Sequence, residues 1–253
     1  MTFEMWSSFH YLFLASPFIF TLILYFLTRR LPKGVNRFIG LVLAIICIAL
    51  LALRNYEIFQ NRGIHPEIIP AQICHLANFF LLFAFLFNNR TVFTVAFCFN
   101  LPFAMLSIIF ADGLENYTNI LTYQGIAYIA GHALIVGITL WSLLVGFVRI
   151  DKRPLFRGAF LVMTMFIASI PLNYYVMDKF PGSKANYFYS TSPERGTPLE
   201  IAYNWGENVS VLGYDVNLIY VGVLAAVGLL LYFSLAGIAH LATRKKFKND
   251  YLY

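Results

Sequence analysis

FIGLVLAIICIALLAL, Phe38 to Leu53, holds no charged or amide side chain, and Arg37 and Arg54 bracket it. A run of this kind approaches the ~20 apolar residues that a helix needs to cross a bilayer. Working outward, six more segments read the same way. Before it, His10 to Leu27 stops at Arg29-Arg30. After it, a third segment begins near Ile68 and ends before Asn88-Asn89-Arg90. A fourth covers Val92 to Ala111, with Pro102 as an expected kink. Gly125 to Val148, Leu155 to Tyr175 (bent near its end by Pro171) and Leu218 to Leu241 complete the set. The sequence predicts an all-α polytopic membrane protein of about seven transmembrane helices, forming one integral membrane domain over residues 1–253.

Composition agrees. Of 253 residues, 60% are hydrophobic and 12% charged, against roughly 25% charged in soluble domains. Disorder is excluded by the same apolar content. The net charge of +6 does not point to nucleic acid, because the basic residues form short clusters between apolar runs. Cys47, Cys74 and Cys98 all lie inside apolar segments, so no disulfide framework is indicated. The N-terminus lacks the basic region and cleavage site of a signal peptide, so the first segment is expected to stay.

Orientation follows from Lys and Arg. Arg29, Arg30, Lys33, Arg37, Arg90, Arg149, Lys152, Arg153 and Arg157 fall on one side of a seven-span count, with Arg244, Lys245, Lys246 and Lys248. These are thirteen of the eighteen basic residues; Arg54, Arg62, Lys179, Lys184 and Arg195 fall on the other side. The N-terminus is therefore expected outside the cell membrane and the C-terminus in the cytoplasm. The outer side would hold Asp112, Glu115, Asn116 and Asn119, and a long extracytoplasmic loop, 176–217, rich in Tyr, Asn, Ser, Pro and Gly. Connections of that length are usually functional or poorly ordered.

Within the apolar spans each polar group needs a reason, because unpartnered burial costs several kcal/mol. No Asp, Glu, Lys or Arg sits mid-span in this reading, which argues against ion-coupled transport, proton pumping and a Schiff-base retinal site. The third segment contains Gln72, Cys74, His75 and Asn78, the fifth His132, and the sixth Asn173. Helical rise puts Cys74 ~9 Å and His132 ~10 Å below the outer face, one common depth. A thiol and an imidazole at one depth can form a nucleophile and its base. Gln72, Asn78 or Asn173 would then orient the imidazole or donate to an oxyanion. At that depth the natural electrophile is the acyl ester of a lipid. The plain alternative is that a buried Cys is more often a small inert hydrophobe, and a helix-buried His a packing residue bonded to a carbonyl. Cys47 and Cys98 read as core, and His10 and His240 as interfacial groups at span ends. His75 points about 100° away from Cys74 and is not its base.

Ile69-Pro70-Ala71-Gln72-Ile73-Cys74-His75-Leu76 resembles the Pro-x-x-x-Cys signature of the YwaF-like bacterial membrane proteins, which are related to the eukaryotic transmembrane-protein-164 acyltransferases. Tyr128-Ile129-Ala130-Gly131-His132 resembles that family's Gly-His helix. Leu172-Asn173-Tyr174, Asn186-Tyr187 and Pro193 resemble its Asn-Tyr and Pro segments. Leu212-Gly213-Tyr214-Asp215-Val216 stands where the bacterial proteins usually carry a Gly-Pro-Trp-Pro turn. The resemblance implies a seven-helix acyltransferase with Cys74 as nucleophile and His132 as partner. Its substrate-binding or orienting set would be Gln72, Asn78, Asn173, Asn186 and Tyr187. It implies membrane lipids, with a lipoprotein acceptor as a second option, and no metal or other cofactor. The competing reading is a non-enzymatic carrier or receptor for lipids or small molecules.

Overall fold

Ser7 begins the first helix by accepting the His10 N–H on its hydroxyl, the N-cap role that suits serine, and α1 runs Ser8–Thr28. The computed structural model describes residues 2–111, 114, 117, 119–194 and 196–249, with backbone alone from 242. Asp112, Glu115, Asn116 and Arg195, and the side chains of Arg244, Lys245, Lys246 and Lys248, lie outside the described residues. The helices that follow are α2 (Lys33–Arg62), α3 (Ile73–Phe87), α4 (Arg90–Val95), α5 (Leu101–Phe110), α6 (Tyr123–Leu144), α7 (Lys152–Lys179), α8 (Leu199–Asn204) and α9 (Leu218–Asn249). A π-helical turn, Ala96–Asn100, joins α4 to α5, so that Arg90–Phe110 forms one span. Within the described residues, seven helices, α8 not among them, are long and apolar enough to cross a membrane.

Packing grades these spans. In the α4–α5 span 61% of the apolar window is buried within the protein, against 11% in the last span. The first is a central helix, and α9 presents most of its surface to lipid. α6 packs against α1, α2 and α5. Small residues permit the close approaches, as membrane helices require. A Cβ added at Gly40 of α2 would lie 2.2 Å from the Phe85 ring on α3. Polar bonds then fix the pairs: Trp141 Nε1 donates to Thr28 Oγ1 at 2.8 Å, and Thr21 Oγ1 donates to the Gly137 carbonyl at 3.1 Å.

Four expectations change. α2 continues to Arg62, so Arg54 sits inside a helix rather than ending one. Its side chain is only 14% exposed and pairs with Glu67 at 3.6 Å. α3 starts at Ile73 rather than Ile68, preceded by a 3-10 turn at Pro66–Ile68. Pro102 follows a widened π turn, which accommodates its missing N–H. His10 is fully buried rather than interfacial. Its Nδ1 accepts the Trp6 N–H at 3.0 Å, which leaves Nε2–H to donate to the Ile108 carbonyl at 2.9 Å.

The described residues of the long loop carry regular structure. They form a 3-10 turn (Tyr187–Tyr189), α8, and an antiparallel hairpin of β1 (Asn208–Val211) and β2 (Tyr214–Asn217). The hairpin turns on Leu212 and Gly213, both at positive φ (53° and 85°), as the tight turns that match strand twist require.

Candidate active site

The site begins with the two prolines that delay α3. Pro66 opens the 3-10 turn, and Pro70 has no N–H to give a helix. The chain enters α3 only at Gln72, which is its N-cap, and Cys74 becomes the second helical residue. The Gln72 carbonyl accepts the Leu76 N–H at 2.9 Å, while the Gln72 side chain makes no capping bond. The first-turn N–H groups of Ile73, Cys74 and His75 therefore gain nothing from it. Such groups carry the partial positive charge of a helix start.

Three helices meet at the thiol. Cys74 Sγ lies 3.5 Å from Ser107 Oγ on α5. His132 on α6 is its principal electrostatic neighbour. Imidazole Nδ1 lies 2.7 Å from the Tyr128 carbonyl. A carbonyl only accepts, so Nδ1 bears the proton and Nε2 is left as the basic nitrogen. Tyr128 supports the arrangement twice. Its ring packs against the imidazole with centroids 4.3 Å apart, and its hydroxyl donates to the Ser107 carbonyl at 2.8 Å. Ser107 Oγ also donates to the Phe103 carbonyl at 3.0 Å, which holds the hydroxyl in place beside the thiol.

His132 lies nine residues into α6, and Ser107 three residues before the end of α5. The irregular segment before α3 thus reaches the level of the site. Non-helical backbone at membrane depth is tolerated where it is buried in protein or lines a cavity.

A polar layer surrounds the pair. Asn78 Nδ2 donates to the Cys74 carbonyl at 3.3 Å, and its Oδ1 is buried with no partner among the described residues. His75 Nδ1 is likewise buried and unpartnered. The charges nearest His75 are those of Arg54 and His132. Arg54 donates to the Glu67 carbonyl and to Asn55 Oδ1, both at 3.0 Å, with the Tyr117 phenol in its electrostatic surroundings. Burial raises the Tyr117 pKa, so this phenol stays protonated.

The other sequence candidates lie at the end of α7 (Asn173) and in the loop that follows it (Asn186 and Tyr187). Asn173 is fully buried. Its Nδ2 donates to the Tyr187 carbonyl (3.1 Å) and to Ser190 Oγ (2.9 Å), and its Oδ1 accepts the Tyr187 N–H (2.7 Å). Those bonds use the whole amide, and Asn173 pins the loop onto α7. Asn186 folds the next turn through Thr191 and Ser192. The Tyr187 hydroxyl reaches the Pro66 carbonyl at 2.9 Å and ties the loop to the segment that leads into α3. Sequence reading missed Ser107 and the support that Tyr128 gives, and it passed over a buried amide outside the site, Asn100. Asn100 ends the π turn, is 2% exposed, and has neither amide atom partnered among the described residues. An amide inside a helix that is otherwise apolar was the available signal.

Seven apolar helices with a thiol, an imidazole and a hydroxyl converging near one end define a polytopic membrane protein with a candidate nucleophile. A family model, the TMEM164 family, matches residues 2–237. The chain belongs to the TMEM164 family. No curated protein and no solved structure matched it. The match agrees with the transmembrane-protein-164 side of the resemblance; the YwaF-like naming rests on the motifs quoted above.

Proposed function

We propose that this protein is a membrane-embedded acyltransferase that moves a fatty acyl chain between lipids, or onto a lipoprotein, through a thioester on Cys74. The observation that supports it is the meeting of Cys74 with His132, whose tautomer is set by the Tyr128 carbonyl. His132 Nε2 takes the thiol proton, and the sulfur attacks the ester carbonyl of the donor lipid. The tetrahedral oxyanion forms beside the uncapped first turn of α3, where backbone N–H groups can receive it. Collapse breaks the ester C–O bond. The departing alkoxide takes the proton from the imidazolium, leaving a lysolipid and the acyl thioester. An acceptor alcohol or amine then gives its proton to His132, attacks the thioester carbonyl and expels the Cys74 thiolate, which regains that proton. No other group is consumed. With the N-terminus outside, the reaction takes place in the outer leaflet of the cell membrane.

The test is mass spectrometry of lipids and lipoproteins from cells expressing wild type, Cys74→Ala or His132→Ala. Cys74→Ala is expected to abolish the transferred acyl species. His132→Ala should lower them by about 10²–10⁴-fold, the usual share of a general base. If both variants fold, reach the membrane and leave every acyl species at wild-type level, the enzyme reading fails and a carrier or receptor takes its place.

A further inference from the structure

At the end of the bundle remote from Cys74, a half-open cavity of about 310 Å³ is lined by Lys33, Gly34, Arg37, Asn88, Arg90 and Arg149, among others. Its four cationic residues come from three separate places: the start of α2, the turn between α3 and α4, and the link between α6 and α7. Gathering four like charges is unfavourable in the absence of an anion. Asp151 offsets Arg90 through their bond at 3.1 Å, and Arg149 has an interaction of its own, so the charge left for a ligand is that of Lys33 and Arg37. Arg37 spends Nε and one Nη2 hydrogen on the carbonyls of Phe85 and Leu86, which fixes it in place. A guanidinium has five N–H donors, so others are left.

A second, independent feature points to the same ligand. α2 starts at this cavity, and its N-cap is Pro32, which makes no side-chain capping bond. Gly34, in the first turn, has nothing within 4 Å of the place a Cβ would occupy. The helix start therefore opens on the cavity, and such ends bind phosphate through free N–H groups. Fourteen residues of α3 separate Cys74 from Asn88, ~21 Å of helix, so this is not the thiol site.

We propose that the cavity binds the phosphate of an anionic phospholipid. A lipid fits better than a soluble phosphate because Val35, Phe38 and Phe87, next to the lining residues, are 43%, 66% and 66% exposed and offer apolar surface to acyl chains. Basic pockets between transmembrane helices hold acidic headgroups in this way. The site is separate from the acyl-transfer reading and stands without it.

The experiment is a melting curve of the purified protein in detergent with added phosphatidylglycerol, phosphatidylcholine, or millimolar glycerol 1-phosphate. Phosphatidylglycerol is expected to raise Tm by roughly 2–4 °C over phosphatidylcholine. Lys33→Gln should lose most of that rise, and Lys33→Arg should keep it. Both variants should melt near wild type in phosphatidylcholine, since Lys33 is exposed at the start of α2. An equal rise in the neutralised variant, or no preference for the anionic lipid, overturns the site. An equal rise with glycerol 1-phosphate alone overturns the lipid assignment and makes a soluble phosphate ester the occupant.

Discussion

Cys74 differs from the other two cysteines in access. Cys47 and Cys98 are 1% and 0% exposed, while Cys74 is partly open and faces an imidazole. Thiol reactivity needs thiolate and access together. N-ethylmaleimide, which crosses membranes, should therefore modify one thiol fast, and intact-protein mass should show that Cys74→Ala removes the fast phase. His132→Ala should slow that phase, because the base that takes the proton has gone; an unchanged rate would separate the two residues chemically. The candidate pair was legible in sequence because a thiol and an imidazole stand out in apolar helices. Ser107 and Tyr128 were not, since hydroxyls are common there and their role depends on which helices meet. Tyr128→Phe should retain the fold, cost about 1 kcal/mol through the lost bond to the Ser107 carbonyl, and lower acyl transfer without abolishing it.

The elements show where hydropathy misleads. Ile68 and Ile69 extend the apolar run without extending the helix, because Pro66 and Pro70 hold the chain out of α-helical form until Gln72. A residue-count depth for Cys74 therefore started from the wrong helix end, yet the contacts with Ser107 and His132 bring it to the same level by another route. The π turn before Pro102 and the burial of His10 were invisible for a related reason: both depend on a neighbouring helix. Asn173 was legible as a polar intruder, but its partners Tyr187 and Ser190 lie on a loop that periodicity does not place. Asn173→Ala would leave the Tyr187 N–H and carbonyl without that partner in a buried setting, at about 1–3 kcal/mol. Its expected signature is a lower Tm and faster proteolysis within 180–192, with the N-ethylmaleimide rate at Cys74 little changed. Asn173→Asp should not rescue it, since a carboxylate supplies no N–H for Tyr187 or Ser190. A loss of Cys74 reactivity equal to that of His132→Ala would instead place Asn173 in the chemistry.

Across the whole molecule, the two ends of the bundle are built differently, and this bears on sidedness. One end has short links with clustered Lys and Arg, around the basic cavity. The other has the long loop and the hairpin whose tip residue, Leu212, is 93% exposed. Basic links stay on the cytoplasmic side during insertion, so the hairpin end, with Cys74 and His132 beneath it, should face outward. Leu212→Cys in a Cys74→Ala background tests this directly, because Cys47 and Cys98 are buried and should contribute little label. A membrane-impermeant maleimide added to intact cells should label Leu212→Cys. It should label Lys152→Cys, at the start of α7, only after permeabilisation. The reverse pattern would invert the topology and place the thiol among cytoplasmic-leaflet lipids. It would also put the basic cavity outside, where thirteen of eighteen Lys and Arg would have crossed the membrane against the usual bias.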